Sequence, residues 1–379
     1  MTRPLPSPDH ATRARPSPAP VSPTARLVGL DLARALAVFG MFAAHVGPDP
    51  AVGGPGGALL FLTHGRASAL FALLAGVALV IVAGRPQART GPARRQAVAR
   101  IVIRAVILLL LGFGLTLSGT PVAVILAYYA VYFLLALPLL RLPADTLALI
   151  AALWALTGPQ LSFVVRTAFG LGDEPPTGLV ESPVELLLTG VYPAATWMPF
   201  VIAGMAVGRL DLGSAAVRRR LAGLGLALAA NGYGLSWLLL RATSGPDTPA
   251  ETGTVPIANP AGLLIASPHS GTTFEILGGT GVALLVVAGC LALLDALPAV
   301  RRLLAPVIAV GTMSLTVYVG HVIGIGLLGI DELPGSPPAV LALFVTVSVL
   351  FAGVWSPLFG RGPLEHLLHV STRLARPRA

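Results

Sequence analysis

Lysine is absent from this 379-residue sequence, and cysteine occurs once, at Cys290. A single thiol excludes an internal disulfide and leaves no partner for dithiol redox chemistry. Charge is scarce as well: 16 acidic residues and 25 arginines bring charged residues to only 11% of the chain, against about 25% in a soluble domain. No glycine-rich phosphate loop and no dinucleotide fingerprint occurs, which removes the common nucleotide-binding classes. No HxxxH or HxxE spacing occurs among the histidines placed below on the outer side, so no metal is expected.

Apolar sequence takes up the space. Residues of hydrophobic type make up 55% of the chain, and the mean hydropathy is +0.83. Apolar runs of about 20 residues recur from end to end, the length that crosses a hydrocarbon core of about 30 Å. The pattern predicts an all-α, polytopic transmembrane helix bundle of about ten spans, near 27–47, 60–83, 101–119, 122–140, 146–166, 187–208, 221–241, 272–294, 303–329 and 338–357. A membrane barrel would show shorter segments of alternating polarity.

The net charge of +9 follows the membrane rather than a nucleic acid. With the N-terminus inside, 22 of the 25 arginines fall on the cytoplasmic side, leaving only Arg66, Arg166 and Arg241 outside. The positive-inside rule therefore predicts that both termini are cytoplasmic in a multi-pass protein of the cell (inner or plasma) membrane. Residues 1–25, rich in Pro and Arg, are expected to be a disordered cytosolic tail. Their length and the full-length apolar run after them argue against a cleaved signal peptide. A membrane domain is expected over 26–360 and a basic cytosolic tail over 361–379.

Three ionisable residues interrupt the first span, "GLDLARALAVFGMFAAHVGP". Asp31, Arg34 and His45 fall within about 60° of one another at about 100° per residue. They therefore share one stripe, with a charge pair near the cytosol and an imidazole at the outer mouth. Intramembrane ionisable groups mark functional sites by default, although Asp31 and Arg34 also fit a pair that pins helix 1 to a neighbour.

Four of the seven histidines fall on the outer side: His45, His64, His269 and His321. His64 and Arg66 open the second span, and His269 and Glu275 open the eighth. In the ninth, "GTMSLTVYVGH" puts Gly311, Ser314, Tyr318 and His321 within about 80° on one helical face. Thr272 and Glu275 also have the spacing of a capping box, a structural reason for that Glu. Tyr192 and Trp197 read as an interfacial aromatic belt. Histidine suits the general base of acyl transfer, and a nearby Arg suits stabilisation of an oxyanion. Asp31 and the histidines equally suit a proton-coupled permease for a small envelope metabolite or ion, and a non-catalytic membrane scaffold is the third reading.

The stretch "RLVGLDLARALAVFGMFAAHVG" resembles the opening of the heparan-α-glucosaminide N-acetyltransferase catalytic-domain family. That opening has an Asp, a nearby Arg and, 14 residues after the Asp, a polar residue that is usually Asn. Asp31, Arg34 and His45 stand at those positions. "GTMSLTVYVGH" and "RGPLEHLLH" resemble the C-terminal domain of YeiB-like (DUF418-type) bacterial membrane proteins, and "GRASALFALLAGVALVI" fits the second span of both groups. The resemblance implies a transmembrane acyltransferase that takes an acetyl or acyl group from cytosolic acyl-CoA and delivers it to an envelope sugar or glycan. It implies His45 or His64 as base and Arg66 as electrostatic stabiliser. Asp31, Arg34, Glu275, His269, Tyr318 and His321 would support the pocket, with Arg34 and the 94–104 arginines facing CoA phosphates. It implies a homodimer in a lipid bilayer and no nucleic-acid partner. The sequence departs from the family twice: His45 replaces the usual Asn, and the position of the family's loop His holds Gly56, with His64 the nearest substitute.

Overall fold

The computed structural model describes residues 27–49, 56–57, 60, 63–171, 180–243, 255, 260–331 and 333–375, and no β-strand occurs among them. The expected tail over 1–25 lies outside the described residues, as do 172–179, 244–254 and 256–259. The described helices of eight residues or more begin with α1 (Val28–Val46), α2 (Arg66–Ala83), α3 (Gly91–Leu117), α4 (Leu126–Leu135), α5 (Ala144–Phe169) and α6 (Ala194–Arg209). They continue with α7 (Ala215–Ala242), α8 (Thr273–Ala296), α9 (Ala305–Thr312), α10 (Ser314–Leu327), α11 (Pro338–Phe359) and α12 (Pro363–Ser371).

Among the described residues, seven helices are long and apolar enough to cross a membrane, or eight if the bent pair α9–α10 counts as one span. Each expected span coincides with helix, but α4 has only 10 residues and α6 only 16, short of the 17 or more that a straight span needs. The bundle is apolar outside as well as inside. Leu110, Leu161 and Leu350 are all more than 60% exposed, and only Phe344 and Ala352 of α11 are buried. Surfaces of that kind belong in hydrocarbon.

Helix α1 is the hub, packing against α2, α8, α9, α10 and α11. Its small residues permit the close backbone approach on which membrane helix packing depends. At the tightest crossing, a Cβ on Gly311 of α9 would fall on the Asp31 carbonyl oxygen, so only glycine fits there.

Helices α9 and α10 meet at 86° around Met313. Thr312 Oγ1 donates back to the Ala309 carbonyl at 2.8 Å, closing α9. The freed N–H groups of Leu315 and Thr316 donate to Glu365 Oε1 at 2.8 and 3.2 Å, and Thr316 Oγ1 donates to Oε2 at 2.6 Å. A carboxylate at a helix N-terminus satisfies orphan donors and complements the helix dipole. The break overturns the single face expected for Gly311, Ser314, Tyr318 and His321, because Gly311 belongs to a different helix axis. Within the tail expected over 361–379, α12 is folded and docked, with Leu364 and Leu368 packed on the core.

Candidate functional site

His45, in the last turn of α1, meets His321, in the middle of α10. His45 Nδ1 lies 3.0 Å from His321 Nε2, and the two rings are stacked at 5.3 Å between centroids. His321 Nδ1 lies 2.5 Å from the Tyr318 carbonyl oxygen. A carbonyl only accepts, so Nδ1 carries the proton, and in a neutral ring Nε2 is then the acceptor. His45 Nδ1 is accordingly the donor, and His45 Nε2 keeps a bare lone pair. Hydrogen-bond accounting thus assigns both tautomers. Phe42 packs tilted against His321, with 4.8 Å between ring centroids, and the Tyr318 hydroxyl accepts from Ile125 N–H at 3.3 Å.

Beside this pair, His64 Nδ1 donates to the Leu60 carbonyl at 3.0 Å, while its Nε2 is sealed from solvent with no partner among the described residues. Arg66 Nε donates to the Tyr233 hydroxyl at 3.0 Å, and its guanidinium lies 4.7 Å from that ring's centroid. His64, Arg66, Tyr233 and Glu275 line a chamber of about 10 Å³, room for about one water.

Glu275 explains how the loop before α8 is held. Its backbone N–H donates to Thr272 Oγ1 at 3.1 Å, one half of a capping box. Its carboxylate reaches past the cap, accepting from His269 N–H at 2.5 Å and Gly271 N–H at 2.6 Å. His269 thereby adopts φ +62°, a left-handed backbone that histidine rarely takes. Its ring stacks on Trp197 and meets Tyr192 edge-on, and both ring nitrogens are sealed without a partner among the described residues. Burial pushes the imidazole down to about 4, and His45 and His64 add to the shift. Tyr192 and Trp197 are 5% and 1% exposed. They are therefore walls of this site rather than an interfacial belt, because the loop over 260–272 covers them.

The structure does not bring Asp31 and Arg34 to the histidines; at 1.5 Å per residue they lie about 21 and about 17 Å from His45 along α1. They pair at 2.8 Å. Arg34 enters a separate cavity of about 510 Å³ at the arginine-rich end, with Arg104, Arg361, Tyr129 and Leu315 among its walls. Arg104 Nε is sealed there without a partner among the described residues. The cavity follows the α9–α10 break, and its wall residue Leu315 precedes His321 by six residues on α10. Sequence reasoning missed Arg361, Tyr129 and Glu365; only the Gly-Pro-Leu-Glu motif pointed at the last of these.

A family model described as "Heparan-alpha-glucosaminide N-acetyltransferase, catalytic" matches residues 26–232. The chain belongs to this family. A second model, described as "Protein of unknown function (DUF418)", matches residues 215–375, and no curated protein matches the chain. Within the heparan-alpha-glucosaminide N-acetyltransferase match lie Asp31, Arg34, His45, His64 and Arg66; His269, Glu275, Tyr318, His321 and Glu365 lie in the second. The His45–His321 bond therefore joins the two matched segments. Family and helices together make this a multi-pass membrane protein of acyltransferase type.

Proposed function

We propose that the protein transfers an acyl group from acyl-CoA, bound in the arginine-lined cavity, to a hydroxyl or amine presented at His45. The observation that carries the reading is that one helix, α10, links the two places. Leu315 lines the cavity and His321 orients His45, about 9 Å apart at 1.5 Å per residue. Arg34, Arg104 and Arg361 supply cationic donors suited to CoA phosphates.

In the transfer, His45 Nε2 takes the acceptor's proton as its oxygen or nitrogen attacks the thioester carbon. The C–S bond breaks, a C–O or C–N bond forms, and the proton ends on the CoA thiolate. His321 fixes the His45 tautomer and shares the imidazolium charge, the role a second group plays for a catalytic histidine. His64 and Arg66 line one neighbouring chamber, and of the two Arg66 carries the N–H donors that an oxyanion would need. The arginine distribution favours a cytosolic cavity and external histidines, in a bundle of about ten spans with both termini inside. The acceptor then belongs to the cell envelope. A permease reading would turn on Asp31, which is ion-paired at 2.8 Å, and gains no observation of its own.

The test is release of CoA thiol from acetyl-CoA by the purified protein in lipid nanodiscs. Slow release that falls roughly 10²–10⁴-fold in His45→Ala, the usual range for a general base, supports the proposal. Failure of the wild type to bind or cleave acetyl-CoA overturns it.

A further inference from the structure

A second opening reaches one member of the imidazole pair, His321, from the side. Between α10 and α11 lies a cleft of about 360 Å³ lined by Gly320, His321, Gly324, Phe344, Val347 and Ser348. It extends along α10 from Thr316 to Leu328, about 18 Å at 1.5 Å per residue. His321 and Phe344 form part of its wall, with Phe42 packed behind both. Its rim is continuous with the bare face of α11, where Leu343 and Val347 are 50% and 55% exposed. That face meets hydrocarbon, not water.

From this geometry we propose that the cleft holds one hydrocarbon tail of a membrane lipid, and that the acceptor reaching His45 is carried on that lipid. The second clause rests on the acyltransferase reading above. Three features select this occupant. Only Thr316, His321 and Ser348 among the lining residues are polar, too few to hold a hydrated sugar by its hydroxyls. A helix from a second copy is about 10 Å across, and over this length it would need well over 1000 Å³, whereas a single alkyl chain fits. Gly320 is exposed, and a Cβ there meets nothing within 4 Å, so the absent side chain keeps the cleft open rather than serving helix contact.

The test uses nanodiscs of phosphatidylcholine doped with a phospholipid bearing a diazirine on one acyl chain. After illumination, labelled peptides around Gly320 and Ser348 should exceed those at Leu226 and Leu238, exposed on α7, at least fivefold. Gly320→Leu, whose Cβ meets nothing within 4 Å and whose side chain should occupy the cleft, should reduce the excess to the level at α7. Equal labelling at both surfaces overturns the tail site. So does disulfide-linked dimer formation by Ser348→Cys in a Cys290→Ala background, which would assign the cleft to a second copy.

The acceptor clause is read separately, with [14C]acetyl-CoA and membranes containing the protein. Label should enter the organic-extractable fraction and fall at least fivefold in Gly320→Leu. Label found wholly in water-soluble product overturns that clause. Consumption of no thioester overturns the acyltransferase reading and the acceptor clause with it, while the cross-linking result decides the tail site by itself.

Discussion

His45 and His321 lie 276 residues apart in the chain and 3.0 Å apart in space. One ring nitrogen of each is committed to that bond, and a second His321 nitrogen to the Tyr318 carbonyl. The pair is directional, with His45 Nε2 at its free end. His321→Ala should therefore cut acetyl-CoA turnover about tenfold, the value of one oriented hydrogen bond of about 1.4 kcal/mol. His45→Ala should lose far more. Turnover assays on both variants decide the order; equal losses would mean that His321 itself is the base.

Glu275 serves the loop more than the helix it begins. Removing its carboxylate leaves the His269 and Gly271 N–H groups buried without an acceptor. Glu275→Ala should lower stability by about 1–3 kcal/mol for each donor left unmet. Glu275→Gln, which keeps one acceptor oxygen, should lose less. Thermal unfolding in detergent measures both.

The buried His269 gives a pH signature. Its folded value of about 4 lies below the ordinary histidine value of about 6.5. Between these values the unfolded chain binds the extra proton, so stability is full above about pH 6.5 and drains as pH falls toward 4. His269→Gln should flatten that slope in unfolding curves taken across the window. An unchanged slope would show that His269 is not the group responsible.

Glu365 caps the break in the middle of the α9–α10 segment. Glu365→Ala leaves the Leu315 and Thr316 donors without that acceptor and loosens α12 from the bundle. Limited trypsin digestion should then cut at Arg361 or Arg373 several-fold faster than in the wild type. Protection equal to wild type would show that α12 is held by Leu364 and Leu368 alone.

Arg104 and Arg361 line the larger cavity with Arg34. Single alanine substitutions of Arg104 or Arg361 should each weaken CoA binding about tenfold, because a hydrogen bond to a charged group is worth about 1.5–3 kcal/mol. Calorimetry at two salt concentrations reads the effect, and the wild-type affinity should fall as salt screens the phosphates. Affinity that ignores both substitution and salt would move CoA elsewhere.

An all-helical membrane bundle was legible because membrane crossing is a matter of length and apolarity, and seven described helices, or eight with the bent pair, meet that measure. The stripe of Asp31, Arg34 and His45 was legible for the same reason, since α1 is regular throughout. The break at Met313 was not. No proline marks it, and what holds it open is Glu365, a residue that composition alone places in a solvated tail. Tyr192 and Trp197 misled because amphipathic aromatics near a helix start look alike whether they face headgroups or a covering loop. The strained backbone of His269 has no sequence signal, because histidine does not announce a left-handed turn as glycine does. Residues 50–55, 58–59 and 61–62, between His45 and His64, lie outside the described residues.

The cap on the broken segment also sets an order of assembly. His45 and its helix leave the ribosome 320 residues ahead of Glu365 in α12. Until α12 is released, α10 lacks the carboxylate that caps its N-terminus. The broken segment that carries His321 is thus completed only once α12 has been made. A prematurely terminated copy could insert its early spans and still present no assembled base to the membrane.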